Sequence, residues 1–253
     1  MAGGESSRVG GLLQQHTKHT FPVYDRPMLH YPLSIMRSST LREIAVVTSA
    51  ADQDLTRFQT EAMLPDHSIN WVVQTQPRGI PQGIELCRDR IKTDESVVIL
   101  LGDQIFSLTS ITAMLRAMEK LDYVRRNAYC FVHASKQRQE EFGVAVLGDS
   151  DKDGFHRVKY VEEKPKNTLA GGHIITGLFV LPADSIAETA RLPSGARGIL
   201  EITDLMEVYR TKNRLFAMKL PADDFWIDAG TPDRLLDAAV YARDYNRRNG
   251  FSM

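Results

Sequence analysis

Four short runs, EIAVVTS (Glu43 to Ser49), INWVV (Ile69 to Val73), VVILLGD (Val97 to Asp103) and AYCFVH (Ala128 to His133), are apolar almost without interruption. A strand with one face in water alternates polar and apolar residues. Continuous apolar character predicts strands buried on both faces of a parallel sheet. Between these runs lie segments with helical spacing. The clearest is LTSITAMLRAMEKL, where Ile111, Met114, Leu115, Met118 and Leu121 fall on one face and Thr109 or Ser110 can cap the start. Near the end of the chain Thr231 can cap a last helix and Pro232 suits its first turn, with Leu235, Leu236, Ala239 and Val240 as its buried stripe. Strands alternating with helices predict a layered α/β fold with a mainly parallel sheet.

The middle of the chain changes character. FGVAVLGDSDKDGFHRVKYVEEKP predicts two short strands joined by a turn rich in Asp and Gly, and IITGLFVL predicts another strand. No linker rich in Pro, Ser or Gly sets this stretch apart. It is therefore expected to be a small β-rich insertion within one domain spanning residues 1–253.

With 31 basic and 32 acidic residues the formal net charge is -1, which offers no clustered positive field for nucleic acid or a membrane surface. No apolar run approaches the roughly 20 residues of a membrane span, and the N-terminus lacks the positive start and apolar stretch of a secretory signal. Cys87 and Cys130 are far apart and lack the spacing of a zinc site. They are expected to be reduced thiols in the core of a cytoplasmic protein.

In layered α/β folds, ligands bind beyond the carboxyl ends of the strands, so polar residues that directly follow apolar runs carry most weight. Asp103 closes VVILLGD, although a Gly-Asp pair is also an ordinary turn. Asp228 follows Trp226 and Ile227 in FWIDAGTPD, ahead of a loop and a capped helix. Two such aspartates could converge on one divalent ion, because Mg²⁺ typically takes one or two protein carboxylates and fills its shell with phosphates and water. The opening MAGGESSRVGG offers close backbone approach to an anion at Gly3 and Gly4 and the planar fork of Arg8. It reads equally as a disordered terminus, and it is neither a Walker loop nor a dinucleotide fingerprint. Lys18 and Lys164 each precede a proline-containing turn and otherwise read as solvated charges. Gln74 and Gly79 in VVQTQPRGIPQG could frame a flat base, or form a polar loop with a tight turn.

Taken in order, these segments resemble the sugar-1-phosphate nucleotidyltransferases, and most closely the glucose-1-phosphate thymidylyltransferases. AGGESSRV resembles the family's AGGxGTRL loop, KHTFPVYDRPMLHYPLS its KxLLPVYDKPMxYYPLS, LGDQIF its LGDNIF, ARGILEITD its PRGELEITD and WIDAGT its WLDTGT, while EEKP is identical. The resemblance implies a three-layer α/β/α sandwich with a mainly parallel, Rossmann-like central sheet. It also implies a reaction in which the phosphate oxygen of a sugar 1-phosphate, glucose 1-phosphate, attacks the α-phosphorus of a nucleoside triphosphate, dTTP, and releases pyrophosphate. By the same resemblance Asp103 and Asp228 hold Mg²⁺, Arg8 steadies the leaving phosphates, and Lys18 neutralises the reacting ones. Ala2, Gly3, Gly4, Gln74 and Gly79 bind the nucleotide. Gly143, Glu163, Lys164, Ile175 and Arg197 bind the sugar phosphate, Lys164 also counting among the catalytic residues. A homo-oligomer, dimer or tetramer, is implied, with neither nucleic acid nor membrane as partner.

The sequence departs from the family pattern in places. The buried strand that opens the pattern, ahead of the glycine loop, is absent, and Ser6 stands where the family has its third glycine. Gln104 replaces an asparagine with a longer amide, and Ile199 replaces the first glutamate of RGELE. The missing strand and Ser6 leave a second reading, a non-catalytic homologue that binds nucleotide sugars or serves as a partner subunit.

Overall fold

The aliphatic and β-branched runs fold into strands close to where composition predicts them. The computed structural model describes residues 18–50, 52–76, 78–134, 139–193 and 199–249. In chain order come β1 (Pro22–Val23), β2 (Arg26–Pro27), α1 (His30–Ser38), β3 (Glu43–Thr48), α2 (Gln53–Met63), β4 (Ser68–Val73) and α3 (Ile80–Leu86). There follow β5 (Ser96–Leu100), β6 (Gln104–Phe106), α4 (Leu108–Met118), β7 (Ala128–His133), β8 (Gly143–Ser150) and β9 (His156–Glu163). The chain continues through β10 (Gly172–Pro182), α5 (Ser185–Thr189), α6 (Ile202–Thr211), β11 (Leu215–Lys219), β12 (Trp226–Asp228) and α7 (Pro232–Asn249). Among these described residues, one compact unit holds 18–76, Leu100–Met118 and 225–249, and a second holds 78–99 and 119–224.

In the first unit β3 and β4 pair in parallel from Glu43↔Ser68 to Thr48↔Val73. Parallel neighbours need a crossover, which α2 supplies. β6 and β12 pair antiparallel, with Ile227 opposite Ile105 and Asp228 opposite Gln104. Val23, Met28, Tyr31, Ile105 and Ile227 form a core with Leu235, Ala238 and Ala242 of α7. That stripe differs from the expected one, for Leu236 is 66% and Val240 40% exposed. Positions 235, 238 and 242 recur at the three-to-four spacing that keeps one face inward, and 236 and 240 lie one residue further round the helix. Helix α4 buries Ile111, Leu115 and Met118 as expected, whereas Met114 is half-buried and Leu121 lies beyond its end. It begins earlier than the Thr109 or Ser110 cap implies, the Ile111 N–H donating to the Ser107 carbonyl at 3.3 Å.

The second unit is built on six strands in the order β5-β10-β7-β11-β9-β8, and β8 also pairs with β10. The pairings β10-β7-β11-β9-β8-β10 therefore close on themselves. β7 and β11 run parallel, whereas β10 is antiparallel to β7 and β8, and β9 is antiparallel to β8 and β11. Two expectations are corrected here. The registers described are not mainly parallel, and the β8–β9 hairpin is no insertion but the link between β10 and β11. Strand β7 is buried from Ala128 to Val132, and burial on both faces, rather than strand direction, is what makes a run continuously apolar. The hairpin turn follows the sequence, with the Asp151 carboxylate accepting from the N–H groups of Asp153 and Phe155 at 3.0 and 2.9 Å. Cys87 and Cys130 are free, buried thiols. Burial pushes the Cys130 thiol up to about 12, which keeps it protonated and inert. Among the described residues no helix is long and apolar enough to cross a membrane.

Candidate active site

Lys18 opens a short 3₁₀ turn, Lys18–Thr20. The segment after it is clamped by the chain that returns through the β1–β2 hairpin, since the N–H of Leu29 donates to the His19 carbonyl and that of Met28 to the Phe21 carbonyl, each at 2.9 Å. Asp103 sits just before β6, and Asp228 ends β12 against it, the Ala229 N–H donating to the Asp103 carbonyl at 2.9 Å. Lys18, Asp103 and Asp228, scattered in sequence, thus meet within the first unit. The Lys18 ammonium is paired with Asp103 Oδ2, and the Gln104 amide donates to Asp103 Oδ1 at 3.1 Å. Asp228 Oδ1 accepts from the Gly230 N–H at 2.8 Å, with the Arg234 guanidinium 3.9 Å away.

The two carboxylates are electrostatically unlike. Burial opposes ionisation of Asp103, but the charges of Lys18 and His19 and the hydrogen bonds from Lys18 and Gln104 outweigh it and hold this carboxyl below the usual range. Asp228 is pushed up, first by burial and then by the negative charge of Asp103, against the weaker pull of Lys18, Gly230 and Arg234. The pair is therefore short of positive charge. Two hard oxygen donors in that state fit Mg²⁺. Among the described residues no group of three or more His, Cys, Asp or Glu side chains could hold a metal ion, so phosphate oxygens and water would have to complete the shell.

A second cluster lies in the other unit. Gly143 begins β8 opposite Glu163 at the end of β9. A Cβ on Gly143 would stand 2.9 Å from Thr203 Cγ2, 3.3 Å from Glu163 Oε2 and 3.5 Å from Ile175 Cδ1, so all four residues converge. The Thr203 hydroxyl donates to Glu163 Oε2 at 3.2 Å, and Lys164 Nζ lies 3.6 Å from Glu163 Oε1. Lys164 adopts φ +48°, a left-handed conformation that costs a side-chain-bearing residue on the order of 1–3 kcal/mol. Its N–H donates to the Phe142 carbonyl at 2.9 Å, which ties down the strained residue beside Gly143.

Gln74 and Gly79 fall in different units. Gln74 is 5% exposed just past β4, its N–H donating to the Thr48 carbonyl at 2.8 Å. Gly79 precedes α3 with φ +98°, and a Cβ there would stand 2.1 Å from the Leu200 carbonyl oxygen and 3.0 Å from Ile199 Cγ2. The segment carrying Ile199 thus rests directly on this loop, a tight turn in which only glycine fits. Ala2, Gly3, Gly4, Arg8 and Arg197 lie outside the described residues. Sequence reasoning missed three partners. Thr203 stands on α6 in the quoted ILEITD segment, His19 beside Lys18, and Trp226 donates its indole N–H to the Gln104 amide oxygen at 2.8 Å. Their signal was adjacency to motif residues, which says nothing about partners in space.

The family model described as "Nucleotidyl transferase" matches residues 1–244. The chain belongs to this family. It is 30% identical over 254 residues to the glucose-1-phosphate thymidylyltransferase of Mycobacterium tuberculosis (strain CDC 1551 / Oshkosh), a match covering 100% of this chain and 84% of the relative. The thymidylyltransferase of Mycolicibacterium smegmatis is 31% identical over 258 residues, with the same coverage. Among solved structures, a Bacillus anthracis protein assigned as a glucose-1-phosphate thymidylyltransferase, in complex with sucrose, superposes with a TM-score of 0.82 at 28% identity, covering 96% of this chain and 93% of that one. A UDP-glucose pyrophosphorylase complexed with UDP-glucose shares the fold, with a TM-score of 0.80 at 17% identity over 98% and 97% of the two chains.

Proposed function

We propose that this nucleotidyl transferase family member transfers a thymidylyl group from dTTP to glucose 1-phosphate, as a cytoplasmic homo-oligomer whose residues 1–253 act as one nucleotidyltransferase domain. The family model running through both units supports the single domain, and the 30% and 31% identical relatives, both glucose-1-phosphate thymidylyltransferases, support the substrate pair. The observation that carries the reading is the meeting of one ammonium with one buried and one half-buried carboxylate, Lys18, Asp103 and Asp228, with no nucleophile among them. Such a set suits a displacement in which the sugar-phosphate oxygen bonds to the α-phosphorus while the bond to the bridging oxygen of pyrophosphate breaks. Chemistry of this kind relies on positioning and charge neutralisation.

Asp103 and Asp228 would hold Mg²⁺, which when bound supplies positive charge to the reacting phosphate oxygens. Lys18 carries a positive charge to the same place and would pass it from Asp103 to a phosphate. In the other unit, Glu163 is oriented by Thr203 and offers an acceptor for sugar hydroxyls. Gly143 leaves room beside it, Ile175 contributes an apolar wall, and Lys164 pairs with the sugar phosphate. The nucleotide loop from Ala2 to Arg8, the base contacts of Gln74 and Gly79, and Arg197 complete the proposal by resemblance. The test is pyrophosphate release from the full chain with Mg²⁺, dTTP and glucose 1-phosphate. Release is expected, and Asp103→Asn should lower it by about 100-fold or more, the scale on which lost transition-state charge stabilisation is felt. A folded protein silent with every nucleoside triphosphate and sugar phosphate offered would leave the non-catalytic reading in its place.

A further inference from the structure

We propose that Gln104 is a positioning residue that fixes the plane of the Asp103 carboxylate, through an amide whose own orientation is dictated by Trp226. The inference rests on the reading of Asp103 as a metal-holding carboxylate. An indole N–H can only donate. Because Trp226 Nε1 lies 2.8 Å from Gln104, the amide must turn its oxygen toward the indole. Its nitrogen is then directed to the other side, where it donates to Asp103 Oδ1 at 3.1 Å. Lys18 takes the other carboxylate oxygen. Each Asp103 oxygen therefore has a defined donor, and rotation of the carboxylate is arrested before any cation arrives.

Burial makes the arrangement rigid. Gln104 is 2%, Trp226 4% and Asp103 9% exposed, and in such surroundings hydrogen bonds are stronger and an unmatched polar group is costly. The chain path fixes the spacing as well. Gln104 and Trp226 lie on paired strands, with Trp226 opposite Phe106 and Gln104 opposite Asp228, so the same ladder that brings the carboxylates together brings the indole to the amide. The glutamine reaches Trp226 across this ladder and Asp103 beside it in the chain. Without the indole N–H the amide oxygen loses the donor that fixes it, and the hold of the amide on the Asp103 carboxylate weakens.

Partners that orient metal ligands typically contribute 10–100-fold in metal affinity. Gln104→Met keeps the length and removes the amide. It is expected to weaken Mn²⁺ binding, followed by electron paramagnetic resonance of the free ion, by about tenfold. Trp226→Phe should weaken it in the same direction, and the double variant should bind no worse than Gln104→Met alone, because both changes cut one relay. Additive losses of thermal stability with unchanged Mn²⁺ affinity would reduce Gln104 to packing and overturn the proposal. A second readout needs neither metal nor turnover. The chain has two tryptophans, so Trp226→Phe identifies the Trp226 indole N–H signal in a proton–nitrogen correlation spectrum. That signal should move in Asp103→Asn, the change being transmitted through the amide, and a stationary signal would refute the relay. If Asp103→Asn leaves Mn²⁺ binding intact, the metal reading itself fails. If Asp103→Asn weakens binding and Gln104→Met does not, the positioning role alone fails.

Discussion

His19 makes the neighbourhood of Lys18 sensitive to acid, and the size of the effect can be worked out. Its imidazole is 2% exposed. Burial, and after it the Lys18 ammonium, lower its pKa from 6.5 to about 3, against the opposing pull of Asp103. Between those values the unfolded chain binds a proton at this position and the folded chain does not, so stability rises with pH across the window and is lost as pH falls. At about 1.4 kcal/mol for each pH unit, the loss between about pH 7 and pH 5 is about 2 kcal/mol. Other groups titrate nearby. His30 and His173 are also lowered by burial, Asp103 adds acid sensitivity below the ordinary carboxylate range, and Asp228, being raised, works in the opposite sense. Comparison with His19→Gln cancels these contributions. Urea unfolding of both proteins, in chelated buffer across a pH series, should show the wild type losing about 2 kcal/mol more than the variant from about pH 7 to pH 5. Parallel curves would refute the burial argument.

Two glycines give further tests. In Gly143→Ala the new methyl would press on Thr203 and Glu163 at 2.9 and 3.3 Å, an overpacking of about 1–3 kcal/mol. It is expected to raise the KM for glucose 1-phosphate by tenfold or so while moving that for dTTP much less, and equal changes in both would argue against a sugar-phosphate role for this cluster. Gly79→Ala combines φ +98° with a Cβ 2.1 Å from the Leu200 carbonyl oxygen. A loss of more than about 2 kcal/mol in urea unfolding is expected, and a variant as stable as the wild type would contradict the close approach.

Asp103 and Asp228 were legible because an apolar run announces a buried strand, and a charged residue at its end must face either solvent or a ligand, whereas Lys18 follows no such run and took its role only from the resemblance. The boundaries of β7 could be read directly from AYCFVH, since a fully buried strand has no polar residue to blur its limits. Strand direction could not be read. The run is equally apolar whether its neighbours are parallel, as β11 is, or antiparallel, as β10 is. The place of the β8–β9 hairpin was hidden for a related reason, because its local turn chemistry says nothing about the distant edges it joins. Gln104 and Trp226 are 122 positions apart, and nothing in either neighbourhood marks the other as its hydrogen-bond partner. The exposed Leu236 shows the limit of periodicity, since two adjacent leucines both satisfy a loose helical stripe and only the packed core selects between them.

The first unit is assembled from three separate stretches of chain, and Gln104–Phe106 meets Trp226–Asp228 only after the whole of 119–224 has intervened. During synthesis the second unit's main stretch leaves the ribosome before β12 does. Until β12 emerges, β6 has an open edge, and Asp103 has neither its companion carboxylate nor the Trp226–Gln104 brace. Pairing across so long a separation is slow, because the loop must close before the contact rewards it. The carboxylate pair is thus among the last features of the unit to form. A nascent chain halted before Trp226 holds the strand that follows Asp103 but lacks the strand that turns it into a site.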